Sequence, residues 1–434
     1  MRERHLRIFE DRSELITPSG SRETFREGKL NDQTKQRTKE IKDSFANGFF
    51  EKLIVEVKEN QEPINIDQLN KEVKKALDIL VDSVTSEMGR ALVGLTIMQL
   101  SIKTISPTQN IRLHKGSSNK SSFSWVDGIS MRVLDKNYVT PVLRKFNLVK
   151  LNADGFMMTR SLAENYPYTL LYKAQLRGAK QEWLNIVELL ESGKIDSLMA
   201  LKYLISLLFN KASDFEDIAQ KTIDSCKTFL EHQKSLMAIK QLIQTHIDES
   251  DYAARLMEVA MHSLMQAAVE SGAFGSIELK PLSQMRSANK KHGNIGDIEL
   301  LENHEIIEAW DAKYGKDYLR DEIDEVSEKL VFHEQVELVG FVTTEKPKRD
   351  KEITNKIADI KALYELEVQI LTFTQWVKLI FGRVIETDMI TEEKLAENWL
   401  TAYVESLAQK RRTIAPIDEP CFEWINLLCN KLES

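Results

Sequence analysis

The stretch that most restricts the fold runs from Asn294 to Gly315, NIGDIELLENHEIIEAWDAKYG. Its alternating pattern predicts one strand over Ile295–Leu301, a turn at Glu302-Asn303-His304, and a second strand over Glu305–Lys313. Side chains alternate along a strand, so Asp311 and Lys313 share one face while Ala312 points away between them. Asp297 comes from the partner strand beside Gly296, a residue that lets a backbone or a ligand approach closely. Two carboxylates on neighbouring strands suit a hard divalent cation, and a lysine one pleat further on suits a developing negative charge.

The flanking sequence extends the pattern. Asp251–Gly272 reads as an amphipathic helix ending at a glycine, with Ala254, Met257, Met261 and Leu264 on one side. Glu258 and His262, four residues apart, lie beside that stripe; there a carboxylate needs a partner, whether a cation, a backbone group or Arg255. Downstream, the sequence predicts a helix over Asp317–Leu330, a strand over Val336–Thr343, a helix over Glu352–Leu363, a strand over Glu367–Phe373 and a helix from Gln375. The helix and hairpin are joined by a basic run in which Lys280, Arg286, Lys290, Lys291 and His292 precede the first acid, Asp297. Such a run suits phosphates, and its amides Gln284 and Asn289 suit base edges.

The order GDIE, turn, DAK within this α-β-β-α-β-α-β arrangement resembles the catalytic core of the PD-(D/E)XK nuclease superfamily, which includes most type II restriction endonucleases. The resemblance covers roughly residues 250–385. It implies Mg²⁺ as cofactor, held by Asp297 and Asp311, with Lys313 aiding the attacking water. Many members carry a glutamate on the preceding helix, and Glu258 matches that position by context. Glu299 and Glu308 lie close enough in sequence to replace or supplement the second acid. The implied activity is hydrolysis of double-stranded DNA at a specific sequence, leaving 5′-phosphates, by a homodimer whose gene neighbours that of a cognate methyltransferase. A repair or modification-dependent nuclease shares the same motif.

Outside this core the chain divides into a helical region (1–110), a winged-helix-like module (111–180), a helical connector (181–249) and a helical tail (386–434). The expected class is therefore α+β and multidomain, with a mixed sheet in the nuclease-like core. Helical periodicity is strongest over Asp67–Leu100, and Lys115–Ser124, KGSSNKSSFS, reads as an exposed polar loop. Val139–Lys145 reads as a short helix, followed by two strands across Val149–Leu162 around Asn152-Ala153-Asp154-Gly155. A helix with a two-stranded wing can place Arg144, Lys145, Lys150 and Arg160 on DNA, although such modules also serve as dimerisation or structural units. If only this module acted, the protein would be a non-catalytic DNA-binding regulator. In the tail, Trp399, Leu400, Tyr403, Leu407, Trp424, Leu427 and Leu428 recur at helical spacing, as a partner face or as intrachain packing.

At 434 residues the chain exceeds the size at which single cores stop growing. No apolar run approaches the ~18 residues of a membrane helix, and Met1–Glu14 lacks the apolar core of a signal peptide, so a cytoplasmic protein is expected. The net charge of −8 argues against indiscriminate coating of nucleic acid while leaving room for a local basic cleft. Cys226, Cys421 and Cys429 have no zinc-site or redox spacing. There is no phosphate loop, nucleophile elbow, HExxH or dinucleotide fingerprint, so no nucleotide cofactor is implied.

Overall fold

The computed structural model describes residues 3–59, 69–119, 123–282, 294–410 and 420–434. The chain forms two compact units, Met1–Asp214 and Phe215–Ser434. Their boundary falls inside one helix, Ser197–His232, so the expected connector is shared between them rather than forming a piece of its own.

The first unit corrects the expectation of an all-helical start. It opens with an antiparallel sheet of β1 (His5–Ile8), β2 (Arg12–Ile16) and β3 (Arg22–Arg26). Helices α1 (Asp32–Ala46), α2 (Phe49–Glu59), α3 (Lys71–Asp82) and α4 (Glu87–Ile105) follow, and α4 is buried over most of its length. Next come α5 (Met131–Leu134), a π-turn at Asp135–Val139, and α6 (Thr140–Lys145). The wing is absent: Val149–Leu162 holds a turn and two 3₁₀ helices, Phe156–Met158 and Arg160–Leu162, instead of two strands. Here backbone groups are taken by side chains. The buried Asp135 carboxylate accepts from Met157 N at 2.8 Å, and the Tyr168 and Tyr172 hydroxyls donate to Leu162 O and Ser161 O at 2.6 and 2.7 Å. Backbone groups satisfied in this way are not available to a ladder. Helices α7 (Lys180–Glu191) and the first part of α8 (Ser197–His232) complete the unit.

In the second unit, α9 (Leu236–Asp248) and α10 (Ala253–Glu270) precede a five-stranded sheet. Its strands are β4 (Glu278–Leu279), β5 (Ile298–Glu302), β6 (Glu305–Lys313), β7 (Leu338–Thr343) and β8 (Glu367–Thr372), in that spatial order. β4, β5 and β6 are antiparallel, whereas β6, β7 and β8 run parallel. The parallel pairs need crossovers, supplied by α11 (Arg320–Leu330) and α12 (Lys351–Tyr364). α13 (Phe373–Ile385), α14 (Glu392–Glu405) and α15 (Cys421–Glu433) close the chain. The hairpin forms, with its second strand where the sequence predicts it; its first strand starts three residues later than expected, so Asp297 stands before the strand rather than on it. Its turn places Asn303 and His304 at φ of 49° and 72°, the left-handed conformation that a tight hairpin requires.

Each face of the sheet has its own core. Ile298, Leu300, Trp310, Ala312 and Val342 pack with α10, α13, α14 and α15, while Ala309, Val339, Phe341 and Ile370 pack with α11 and α12. The tail residues Trp399, Leu400, Tyr403, Leu407, Trp424 and Leu428 are buried in the first of these cores, so intrachain packing accounts for their periodicity. Among the described residues, no helix is long and apolar enough to cross a membrane.

One contact between β6 and β7 fixes how they lie together. Trp310 is fully buried and pairs with Gly340 across the ladder, where a Cβ on Gly340 would fall 2.0 Å from Trp310 Cε3. Gly340→Ala should therefore destabilise the second unit by about 1–3 kcal/mol, the usual range for overpacking. Urea denaturation checks this: the midpoint should fall with an unchanged slope, and an unchanged midpoint would mean that the indole has room to move.

Candidate active site

Asp297 stands immediately before β5 and is held by the backbone of β6 on both sides. Its N–H donates to Trp310 O at 2.9 Å, and its Oδ2 accepts from Ala312 N at 3.0 Å. Gly296 makes this approach possible, since a Cβ there would lie 2.7 Å from Trp310 O. The Asp297 carboxyl thereby stands close enough to Asp311 for the charge of that residue to act on it. Asp311 is buried, and its Oδ2 lies 2.7 Å from Lys313 Nζ. The structure therefore brings together Asp297, Asp311 and Lys313.

The electrostatics of this corner are unbalanced toward negative charge. Burial, then the neighbouring charges of Asp311 and Glu258, push the Asp297 carboxyl well above the ordinary carboxylate range, and Lys313 only partly opposes them. At Lys313, burial would lower the ammonium's pKa, but the carboxylates of Asp311, Asp297 and Glu322 outweigh it and raise the value. Two acids whose charges disfavour one another are suited to sharing a cation.

The other expected participants divide. Glu258 sits on α10 close enough for its charge to be felt at Asp297, yet its carboxylate is also tied to Arg255 one turn earlier. Glu299 and Glu308 are not part of the acid pair. Glu299 accepts from Ile295 N at 2.6 Å and Gly296 N at 3.3 Å, bracing the turn that delivers Asp297. Glu308 points to the other face of β6, where it forms a two-pronged pair with Arg383 at 2.7 and 2.9 Å and accepts from Trp310 Nε1 at 2.6 Å. Lys280 also serves the framework: its ammonium donates to Glu299 Oε2 at 2.5 Å and Asn294 Oδ1 at 2.9 Å. Its intrachain partner is thus a buried carboxylate. Gln284, Arg286, Asn289, Lys290 and Lys291 lie outside the described residues.

In the first unit, Arg144 donates to Leu151 O at 2.6 Å and Lys145 pairs with Glu51 at 2.5 Å. The Lys150 ammonium is buried, and Arg160 is exposed on a 3₁₀ turn. Arg144, Lys145 and Arg160 are exposed, but no wing stands beside them. Two residues that the sequence did not single out stand beside the site. Glu322, in the first turn of α11, is buried and pairs with Lys316, and its charge acts on Lys313. The two partners are six positions apart, more than one helical turn, so no periodic signal joins them.

Among the described residues, no group of three His, Cys, Asp or Glu side chains is arranged to hold a metal ion. Mg²⁺ asks for less, because it keeps several waters and is commonly bound through one or two carboxylates. Asp297 and Asp311 fit that requirement: both are hard oxygen donors, and the mutual charge that raises the Asp297 value favours a cation beside them.

A stability prediction follows from the sign of the Asp297 shift. A carboxyl whose folded value is raised stabilises the fold fully below the ordinary carboxylate range, and that contribution is lost as pH rises through the folded value. Asn keeps an acceptor for Ala312 N and offers Asp311 a donor without ionising. Asp297→Asn should therefore melt about 2–4 °C higher than wild type at pH 8 without divalent cations, the shift expected per kcal/mol for a unit of this size. Calorimetry at pH 5 and pH 8 checks it: the gain should shrink at pH 5, and a lower melting temperature at pH 8 would refute the acid-pair description. Compared with family models and with curated proteins, the chain matches none.

Proposed function

We propose that the second unit is the catalytic core of a Mg²⁺-dependent endonuclease acting on double-stranded DNA, of the type II restriction kind. The observation that carries this reading is the Asp297–Asp311 pair, half-buried at Asp297 and buried at Asp311, with the Lys313 ammonium 2.7 Å from Asp311 Oδ2, at the end of a mixed sheet. A non-catalytic regulator would have no use for two acids held together at a cost to its own stability. Phosphodiester hydrolysis has such a use. When bound at Asp297 and Asp311, Mg²⁺ supplies Lewis-acid stabilisation of the phosphate and a more acidic water.

The chain's own groups then have separable roles. Asp297 and Asp311 fix the reacting phosphate's counter-charge at the end of β6. Lys313, kept cationic by its carboxylate neighbours, orients the attacking water and stabilises the charge that builds on the phosphate oxygens. Arg255 holds Glu258 in place beside the pair. The basic run 283–293, with Arg286, Lys290 and Lys291 toward phosphates and Gln284 and Asn289 toward bases, is the proposed approach for DNA. Cutting both strands of a symmetric site would use a homodimer in the cytoplasm, with the host's DNA protected by a methyltransferase encoded nearby. A role in repair or in cleavage of modified DNA uses the same site.

The test is incubation of purified protein with unmethylated and methylated phage DNA, with and without Mg²⁺. Wild type should give discrete, metal-dependent fragments. Asp297→Ala and Lys313→Ala should each reduce cutting by at least about 10²-fold, the loss typical of removing one stabilising group, while retaining a cooperative melt. Intact DNA under every condition, or cutting unchanged in both variants, would remove the nuclease reading.

A further inference from the structure

The polar stretch Lys115–Ser124 reads as a solvated loop, yet its ends wall a cavity of about 510 Å³ within the first unit. The walls are built rather than incidental. Trp125 N donates to Lys115 O at 3.0 Å and Ile129 N to Leu113 O at 2.9 Å. Gly116 and Gly128 meet backbone to backbone, so closely that a Cβ on Gly116 would fall 2.3 Å from Gly128 O. The volume lies within the roughly 300–1,000 Å³ of small-molecule sites.

What lines the cavity selects its occupant. Lys115 and Arg132 both face it, together with the neutral donors Ser117, Ser130 and Asn165, and no carboxylate is among its described lining residues. Lys115 Nζ has Asn165 Oδ1 at 2.5 Å as its polar contact, and Arg132 touches Met158 Sδ; neither has a carboxylate within ion-pair distance among the described residues. Burial, and then the charge of Arg132, lower the Lys115 pKa. The carboxylate whose charge interacts with Arg132, Asp135, is buried and is not among the cavity's lining residues, so two cations and no anion face the space. An aromatic surface adjoins them: Lys115 Nζ lies 5.9 Å over the Phe123 ring, whose edge contact with Trp125, at 4.6 Å between centroids, fixes its plane.

We propose that this cavity is a nucleotide site, with the phosphate held between Lys115 and Arg132 and the base stacked on Phe123. A phosphate-bearing ligand supplies an anion inside the cavity, and bases of any identity stack on aromatic rings. The assignment uses no residue of the carboxylate site and stands or falls separately from the nuclease reading. The nucleotide can be free or part of a DNA strand; the chemistry at the cavity is the same.

Titration calorimetry of the full chain at low salt tests it, using the four deoxynucleoside monophosphates, the parent nucleosides, inorganic phosphate and a six-residue single-stranded DNA. At least one monophosphate should bind, its nucleoside and inorganic phosphate at least tenfold more weakly, and Arg132→Gln should lose at least tenfold. Arg132 is exposed, so this variant should retain the wild-type melt; Lys115→Met provides the second removal of charge. Tighter binding of the six-residue strand than of any monophosphate, weakened in the same way by Arg132→Gln, identifies a strand-borne nucleotide, and the opposite order a free one. No binding of any probe at millimolar concentration, equal binding of nucleoside or inorganic phosphate, or binding indifferent to Arg132→Gln would overturn the proposal.

Discussion

Two carboxyl groups brought together at the end of β6, one buried and one half-buried, are the constraint around which the second unit is arranged. Asp297 reaches Asp311 because its backbone is bonded to Trp310 O and its side chain to Ala312 N. Neither bond would survive a shift of β5 along β6. Like charges in such a place cost folding free energy unless a proton or cation lies between them. The unit retains the arrangement and surrounds it with groups that hold it in register, a pattern expected where strain serves a site rather than stability.

That surrounding shell uses ordinary fold-stabilising parts. Lys280 and Asn294 secure Glu299, and Glu299 secures the Ile295-Gly296 turn from which Asp297 projects. On the opposite face, Arg383 and Glu308 lock the indole of Trp310, and that indole fits only because residue 340 has no side chain. Acidic residues of the hairpin that look equivalent in sequence therefore do different work. Two form the pair, and two hold the strands that carry it.

The second unit was largely legible from its sequence because its signals are local. Alternation from Glu305 to Lys313, a turn able to adopt positive φ at Asn303 and His304, and helical periodicity after Ala253 each bound an element within a few residues. Ion-pair partners were not legible. Glu299 and Asp297 differ only in where the chain folds back, and the Lys316–Glu322 pair has no helical spacing. The first unit was harder. Strands β1 and β3 are mostly exposed and carry no apolar alternation, so nothing distinguished them from a polar helix. The Asn152–Gly155 turn does form, with Gly155 at a φ of 100°, but the hairpin does not. Its backbone is claimed by Asp135, Tyr168 and Tyr172, all distant in sequence. Tertiary partners decided these elements, and a single sequence does not name them.

The central claim is that the Asp297–Asp311 pair is built to exchange its proton for a divalent cation. It is tested most directly by titrating the protein with Mg²⁺ at several pH values, in buffers of differing ionisation enthalpy, without DNA. The account predicts one site that releases about one proton on binding, with affinity rising toward about tenfold per pH unit below the raised Asp297 value, and no such binding in Asp297→Asn. Binding without proton release, or no binding at millimolar Mg²⁺ in the wild-type protein, would contradict it.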